Sequence, residues 1–177
     1  MTRLLGIISG GQTGADQAGL RAAKALGLTT GGLMPKGFLT EDGPRPQFRE
    51  MFGMGESFHG AYAKRTRWNI QHADATVIFC TVQHAQTGDR ATDGEGIPAE
   101  PGSALTYGVC VQLERPALVV EWDPLHRRLG GSPAMLRDWL ASHHVTILNV
   151  AGNRESVAPG IGAAVQDFLE QALRGES

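Results

Sequence analysis

The run Ser9-Gly10-Gly11-Gln12-Thr13-Gly14-Ala15-Asp16 holds the parts of an anion seat. Glycines at 10, 11 and 14 lack the Cβ atoms that block approach of a ligand to the backbone, and the first N–H groups of a helix have no partner within it. Thr13 adds a hydroxyl, Gln12 belongs to the same turn, and Asp16 can cap the helix or contact a ribose. The spacing fits neither G-x-G-x-x-G nor the Gly-Lys-Ser/Thr ending of a P-loop. It is either a phosphate or nucleotide seat of another pattern or a tight strand-to-helix turn. On the first reading, a bulky residue at Gly11 or Gly14 removes ligand space and leaves the fold intact.

Four further polar clusters follow or flank expected strands. Lys36, next to Gly37, can place a point charge over a phosphate, or simply be solvated. Arg65, Thr66 and Asn69 share a helix face on which guanidinium, hydroxyl and amide suit an oxyanion or a base edge. Gly102, Ser103 and Thr106 open another helix after Pro101, a second anion seat in the same physical sense. Asn149 and Arg154 lie in a fifth cluster at 148–156. There Asn149 and Ser156 can instead satisfy buried backbone groups, and Arg154 can pair with Glu155.

These clusters need a frame that brings them to one edge. Apolar runs suited to buried strands recur at 4–8, 32–34, 75–80, 117–122 and 146–150, with helix-period segments at 15–26, 61–73, 103–114, 133–143 and 161–173. That alternation predicts an α/β fold, a mostly parallel central sheet with helices on both faces, whose ligands bind beyond the carboxyl ends of the strands. With 177 residues and no linker or repeat, the chain is expected to be one ligand-binding domain. Two loops, about 35–60 and 81–101, are long for a compact domain; the second, with few apolar anchors, is expected to be mobile.

A net charge of -2 gives no general attraction to nucleic acid or an anionic membrane. The apolar run after Met1-Thr2-Arg3 is too short for a signal peptide or a membrane span, which predicts a cytoplasmic protein. Cys80 and Cys110, without metal-ligand spacing, are expected to be buried reduced thiols. No G-x-S-x-G or H-E-x-x-H occurs, and Asp89, Asp93 and Glu95 lack EF-hand spacing, so no protein-held metal is expected.

Five ordered blocks, SGGQTGAD at 9–16, PKGFLTEDG at 35–43, RTRWNIQHAD at 65–74, GSALT at 102–106 and LNVAGNRES at 148–156, resemble the molybdenum carrier family. That family belongs to a Rossmann-like group that includes the cytokinin-activating phosphoribohydrolases and the DNA-processing protein DprA. The resemblance implies a modified Rossmann fold, a homo-oligomer (dimer or tetramer), and a phosphate-bearing small-molecule ligand, with molybdenum cofactor as cargo. It implies that Gly10, Gly11, Thr13 and Gly14 with Gly102, Ser103 and Thr106 hold the phosphate or oxyanion end, while Lys36, Arg65 and Asn69 line the rest.

The chain departs from its relatives in two places. Stretch 81–101 is longer than the usual link. Where the phosphoribohydrolases follow Pro-Gly-Gly-x-Gly-Thr with a catalytic glutamate, no acid is expected near this helix start before Glu114. The expected function is therefore carriage or sensing of a phosphate-bearing molecule, molybdenum cofactor or a nucleotide, without catalysis. The alternative is a nucleoside 5′-monophosphate phosphoribohydrolase using Arg65 and one of Glu41, Asp42 or Glu155 for proton transfer. A DNA-associated module is disfavoured by the charge.

Overall fold

The computed structural model describes residues 3–58, 62–83 and 96–174. The mobility expected for 81–101 concerns mostly 84–95, which lies outside the described residues.

Six strands form the main sheet: Gly6–Ser9 (β1), Thr29–Gly31 (β2), Ala75–Cys80 (β3), Ala117–Asp123 (β4), Arg128–Leu129 (β5) and Ile147–Gly152 (β6). Their spatial order is β5-β4-β3-β6-β1-β2. All neighbours run parallel except the β4–β5 hairpin. Every residue of β3 is buried, the signature of a strand covered on both faces, and its β-branched Thr76, Val77 and Ile78 suit that position.

Helices Ala15–Ala25 (α1), Pro133–Ser142 (α5) and Ile161–Leu173 (α6) cover one face and share its core with Ile7, Val77, Phe79, Leu148 and Val150. Each of those large apolar side chains is fully buried and contributes about 1.5–3 kcal/mol by leaving water. Alanines at 15, 18, 22 and 23 hold α1 close to α6 and to the sheet. On the other face, Tyr62–Gln71 (α3) and Pro101–Gln112 (α4), the fourth helix in chain order, pack through Ile70, Val109 and Cys110. Phe48–Phe52 (α2) lies in the 35–60 excursion and seals a separate small core of Leu20, Met34, Phe38, Phe48, Phe52 and Met54.

The expected strand at 32–34 is a correction. The sheet takes Thr29–Gly31, whereas Leu33–Met34 pairs in parallel with Gly55–Glu56 outside it. The apolar Met34 reports burial in the small core rather than sheet membership, and the β-branched Thr29-Thr30 occupies a half-exposed edge where polarity is tolerated. The other expected strands and helices stand within about two residues of their bounds. Cys80 and Cys110 are buried free thiols, and burial pushes Cys80 up to about 12.

One carboxylate fixes where β6 enters. Asp74 Oδ2 accepts hydrogen bonds from Thr146 N (2.8 Å), Thr146 Oγ1 (2.6 Å) and Ile147 N (2.8 Å). Burial raises its carboxyl, but these donors outweigh that and hold it below the usual range. Asp74→Ala is expected to destabilise the protein by about 1–3 kcal/mol, because three donors lose one charged acceptor. Urea unfolding at pH 7 checks this.

Candidate functional site

The chain leaves β1 toward the β2 edge and leaves β3 toward the β4 edge, with β6 between them. Connections that diverge in this way open a crevice at the carboxyl ends of the strands. A cleft lies there, with about 470 Å³ of empty space counting its open mouth. Its walls are Gly10, Gln12 and Asp16 after β1, Asn149, Ala151, Gly152 and Arg154 along β6 and its exit, Arg65, Thr66 and Asn69 on α3, and Glu100, Gly102 and Thr106 at the start of α4.

Asp16 and Arg65 set the field on one side. Both are buried, at 7% and 4% exposure. A Cβ on Gly10 would lie 2.8 Å from Asp16 Oδ2 and 3.1 Å from Arg65 Cζ, so only glycine lets the carboxylate and the guanidinium flank this turn. Arg65 Nη1 also donates to the Gly10 carbonyl at 3.3 Å. Burial raises the Asp16 carboxyl to about 6, against the pull of Arg65, the Gln12 and Gly10 backbone and Arg154. Desolvation wins here because a charge taken out of water loses more than one nearby cation returns.

The helix starts around this edge already hold carboxylates of the chain itself. Asp16 Oδ2 accepts from Gln12 N at 3.3 Å in the turn before α1. Glu100 caps α4, accepting from Ser103 N at 3.0 Å. Glu155 accepts from Gly160 N (2.5 Å) and Gly162 N (3.0 Å) at the start of α6. In each of the two anion seats expected from the sequence, one backbone donor is thus held by an internal carboxylate.

Ten of the sixteen candidate residues line the cleft: Gly10, Gln12, Asp16, Arg65, Thr66, Asn69, Gly102, Thr106, Asn149 and Arg154. Several have structural duties as well. Asn69 clamps the Leu33 backbone, accepting from its N–H at 2.8 Å and donating to its carbonyl at 3.2 Å. Asn149 Nδ2 donates to Thr76 Oγ1 (3.2 Å), and Thr106 Oγ1 donates to the Gly102 carbonyl (3.0 Å).

The other six stand off the cleft wall. Thr13 bonds Glu41 and accepts from Glu155 N, and Ser103 Oγ donates to Asn153 Oδ1. Lys36 and Gly37 are exposed on the excursion, with Gly37 N donating to Glu56. Gly11 and Gly14 correct the expectation of spare ligand space. Both have positive φ; a Cβ on Gly11 would meet the buried Met34 side chain, and one on Gly14 would lie 2.3 Å from the Asn153 carbonyl oxygen.

The proposed proton carriers are corrected too. Glu41 accepts from Thr13 Oγ1, Ser156 N and Ser156 Oγ, outside the cleft. Asp42 is exposed, 3.9 Å from Arg45, and Glu155 caps α6. The acid missed near the start of α4 is Glu100, which lines the cleft. Its signal was present, since an acceptor directly ahead of a proline at the first helical position marks a cap.

The sequence profile of the circularly permutated YpsA SLOG family matches residues 7–173. The chain belongs to that family. A solved structure, the putative molybdenum carrier protein from Syntrophus aciditrophicus SB, is 34% identical and superposes with a TM-score of 0.77 over 97% of this chain and 96% of the other. The resemblance drawn from the five blocks is borne out, and a family of this kind supports a ligand-binding role. No curated protein matches the chain. Among the described residues, no helix is long and apolar enough to cross a membrane.

Two outcomes follow from the geometry. Gly14→Ala is expected to lose about 3 kcal/mol or more in urea unfolding, since a side chain there is both strained and in collision with backbone. Asp16, raised from 3.8 to about 6, favours the fold in its neutral form, and this advantage is complete below about pH 4 and lost as pH rises through 6. Unfolding of wild type and Asp16→Asn at pH 4 and pH 8 should show the variant gaining ~3 kcal/mol relative to wild type between the two.

Proposed function

We propose that this cleft binds a phosphate-bearing small molecule, molybdenum cofactor or a nucleotide, and carries or senses it without turnover. The observation that carries this reading is the convergence of Arg65 and Arg154 with Thr66 on one crevice beyond the strand ends. Planar guanidinium forks match phosphate oxygens in pairs, and hydroxyls complete such a shell. The solved relative is named a molybdenum carrier, which favours molybdenum cofactor as the cargo. The cleft would then place the phosphate between the arginines and the remainder of the ligand along Gln12, Asn149 and the glycine turn. We take 1–177 as one cytoplasmic ligand-binding domain that works as a homo-oligomer.

A second reading has its own observation. Asp16, with its carboxyl near 6, shares the cleft with Glu100, so two carboxylates flank whatever the arginines hold. A group that titrates close to neutral pH suits proton transfer, and a nucleoside 5′-monophosphate phosphoribohydrolase needs one at the glycosidic bond.

Native mass spectrometry of freshly purified protein, followed by denaturation, identifies any molecule it holds. A molybdopterin or a nucleotide supports the carrier or sensor, and adenine released from AMP favours the hydrolase instead. Arg65→Ala should weaken the identified ligand by about 1.5–3 kcal/mol in calorimetry, the value of a charge-assisted hydrogen bond. Unchanged affinity removes the phosphate from Arg65.

A further inference from the structure

We infer that Asp16 and Glu100 set the specificity of the cleft: they admit a ligand that carries hydrogen-bond donors beside its anionic group and refuse a bare oxyanion. The inference rests on the reading that the cleft takes an anionic ligand, and it names the class.

Among the lining residues the formal charges of Arg65 and Arg154 are balanced by those of Asp16 and Glu100. A small oxyanion such as molybdate has no apolar body and no donor of its own, and inorganic phosphate brings only its acidic hydroxyls against the several donors of an organic ligand. Drawn toward the guanidinium groups, it also meets the two carboxylates that line the same cleft, and repulsion offsets part of the attraction. Two of the backbone donors at this edge are already taken. The N–H of Gln12 is held by Asp16, and that of Ser103 by Glu100. An oxyanion entering either position must first displace a covalently tethered carboxylate, whose local concentration no free ion matches.

A donor-bearing ligand meets the opposite situation. Ionised carboxylates only accept hydrogen bonds, so they pair with amine, ring N–H or hydroxyl groups. Arginines and carboxylates on one cleft therefore suit a molecule with a phosphate at one end and an aminated heterocycle or a diol nearby. An amino-pterin phosphate and a purine nucleoside monophosphate both fit this description. Burial of Asp16 strengthens any pairing that a ligand donor makes with it, because the local dielectric is low.

Calorimetry with sodium molybdate, inorganic phosphate, AMP, GMP and neopterin monophosphate tests this on the full chain. For wild type, at least one organic phosphate is expected to bind tenfold or more tightly than either oxyanion. Glu100→Gln keeps an acceptor for Ser103, and with Asp16→Asn it forms a pair of variants, each checked for folding by circular dichroism. Each should tighten molybdate or phosphate at least tenfold and weaken the organic phosphate. Glu155→Gln, which removes a carboxylate charge outside the cleft wall, should change neither. Equal binding of oxyanion and organic phosphate to wild type overturns the inference, as does an unchanged preference in folded variants. If no organic phosphate binds wild type but the variants gain oxyanion binding, the refusal of oxyanions stands and the proposed ligand falls. No binding of any probe to any form overturns both.

Discussion

Helix starts gathered at one edge of a parallel sheet create a local demand for negative charge, and the rest of this site is organised by how that demand is met. Backbone N–H groups at such starts have no partner in their own helix. Here Glu100 and Glu155 meet part of it at α4 and α6, and Asp16 holds the Gln12 N–H in the turn before α1. Two of these carboxylates also face the cleft, so the same groups that finish the secondary structure shape the electrostatics seen by a ligand. The arginines are the counterpart: without Arg65 and Arg154 the crevice would be a purely acidic slot.

The frame was legible because its signals are periodic. The strand at 75–80 is buried throughout and nearly all apolar, that at 117–123 alternates between buried and more exposed positions, and the helices carry apolar faces, with Ser132 and Pro133 marking one start. The second strand lies elsewhere because Met34 is apolar for a different reason, its place in the small core under the excursion. Composition reports burial, and two cores in one chain send the same signal.

The site was legible by type and less so by role. Arg65, Thr66, Asn69, Asn149 and Arg154 converge as their types suggest, yet Asn69 also clamps a loop and Asn149 bridges two strands. Glycines misled most. A glycine in a turn can make room for a ligand or for the protein's own backbone, and at Gly14 it is the backbone of Asn153 that fills the space. Glu100 is the harder residue to read from sequence, because a cap lies ahead of its helix, outside the glycine-rich segment that follows Pro101.

β6 belongs to residues 147–152 yet lies between β1 and β3, near the middle of the sheet. During synthesis the ribosome delivers both of its neighbours long before it delivers this strand. Until then β1 and β3 each carry an unpaired inner edge, the kind of surface that invites wrong pairing. The closing step joins partners more than a hundred positions apart along the chain on one side and about seventy on the other. Since Asn149, Gly152 and Arg154 arrive with that strand and its exit, a nascent chain stalled before them has no pocket to fill, and the ability to bind appears together with the completed sheet.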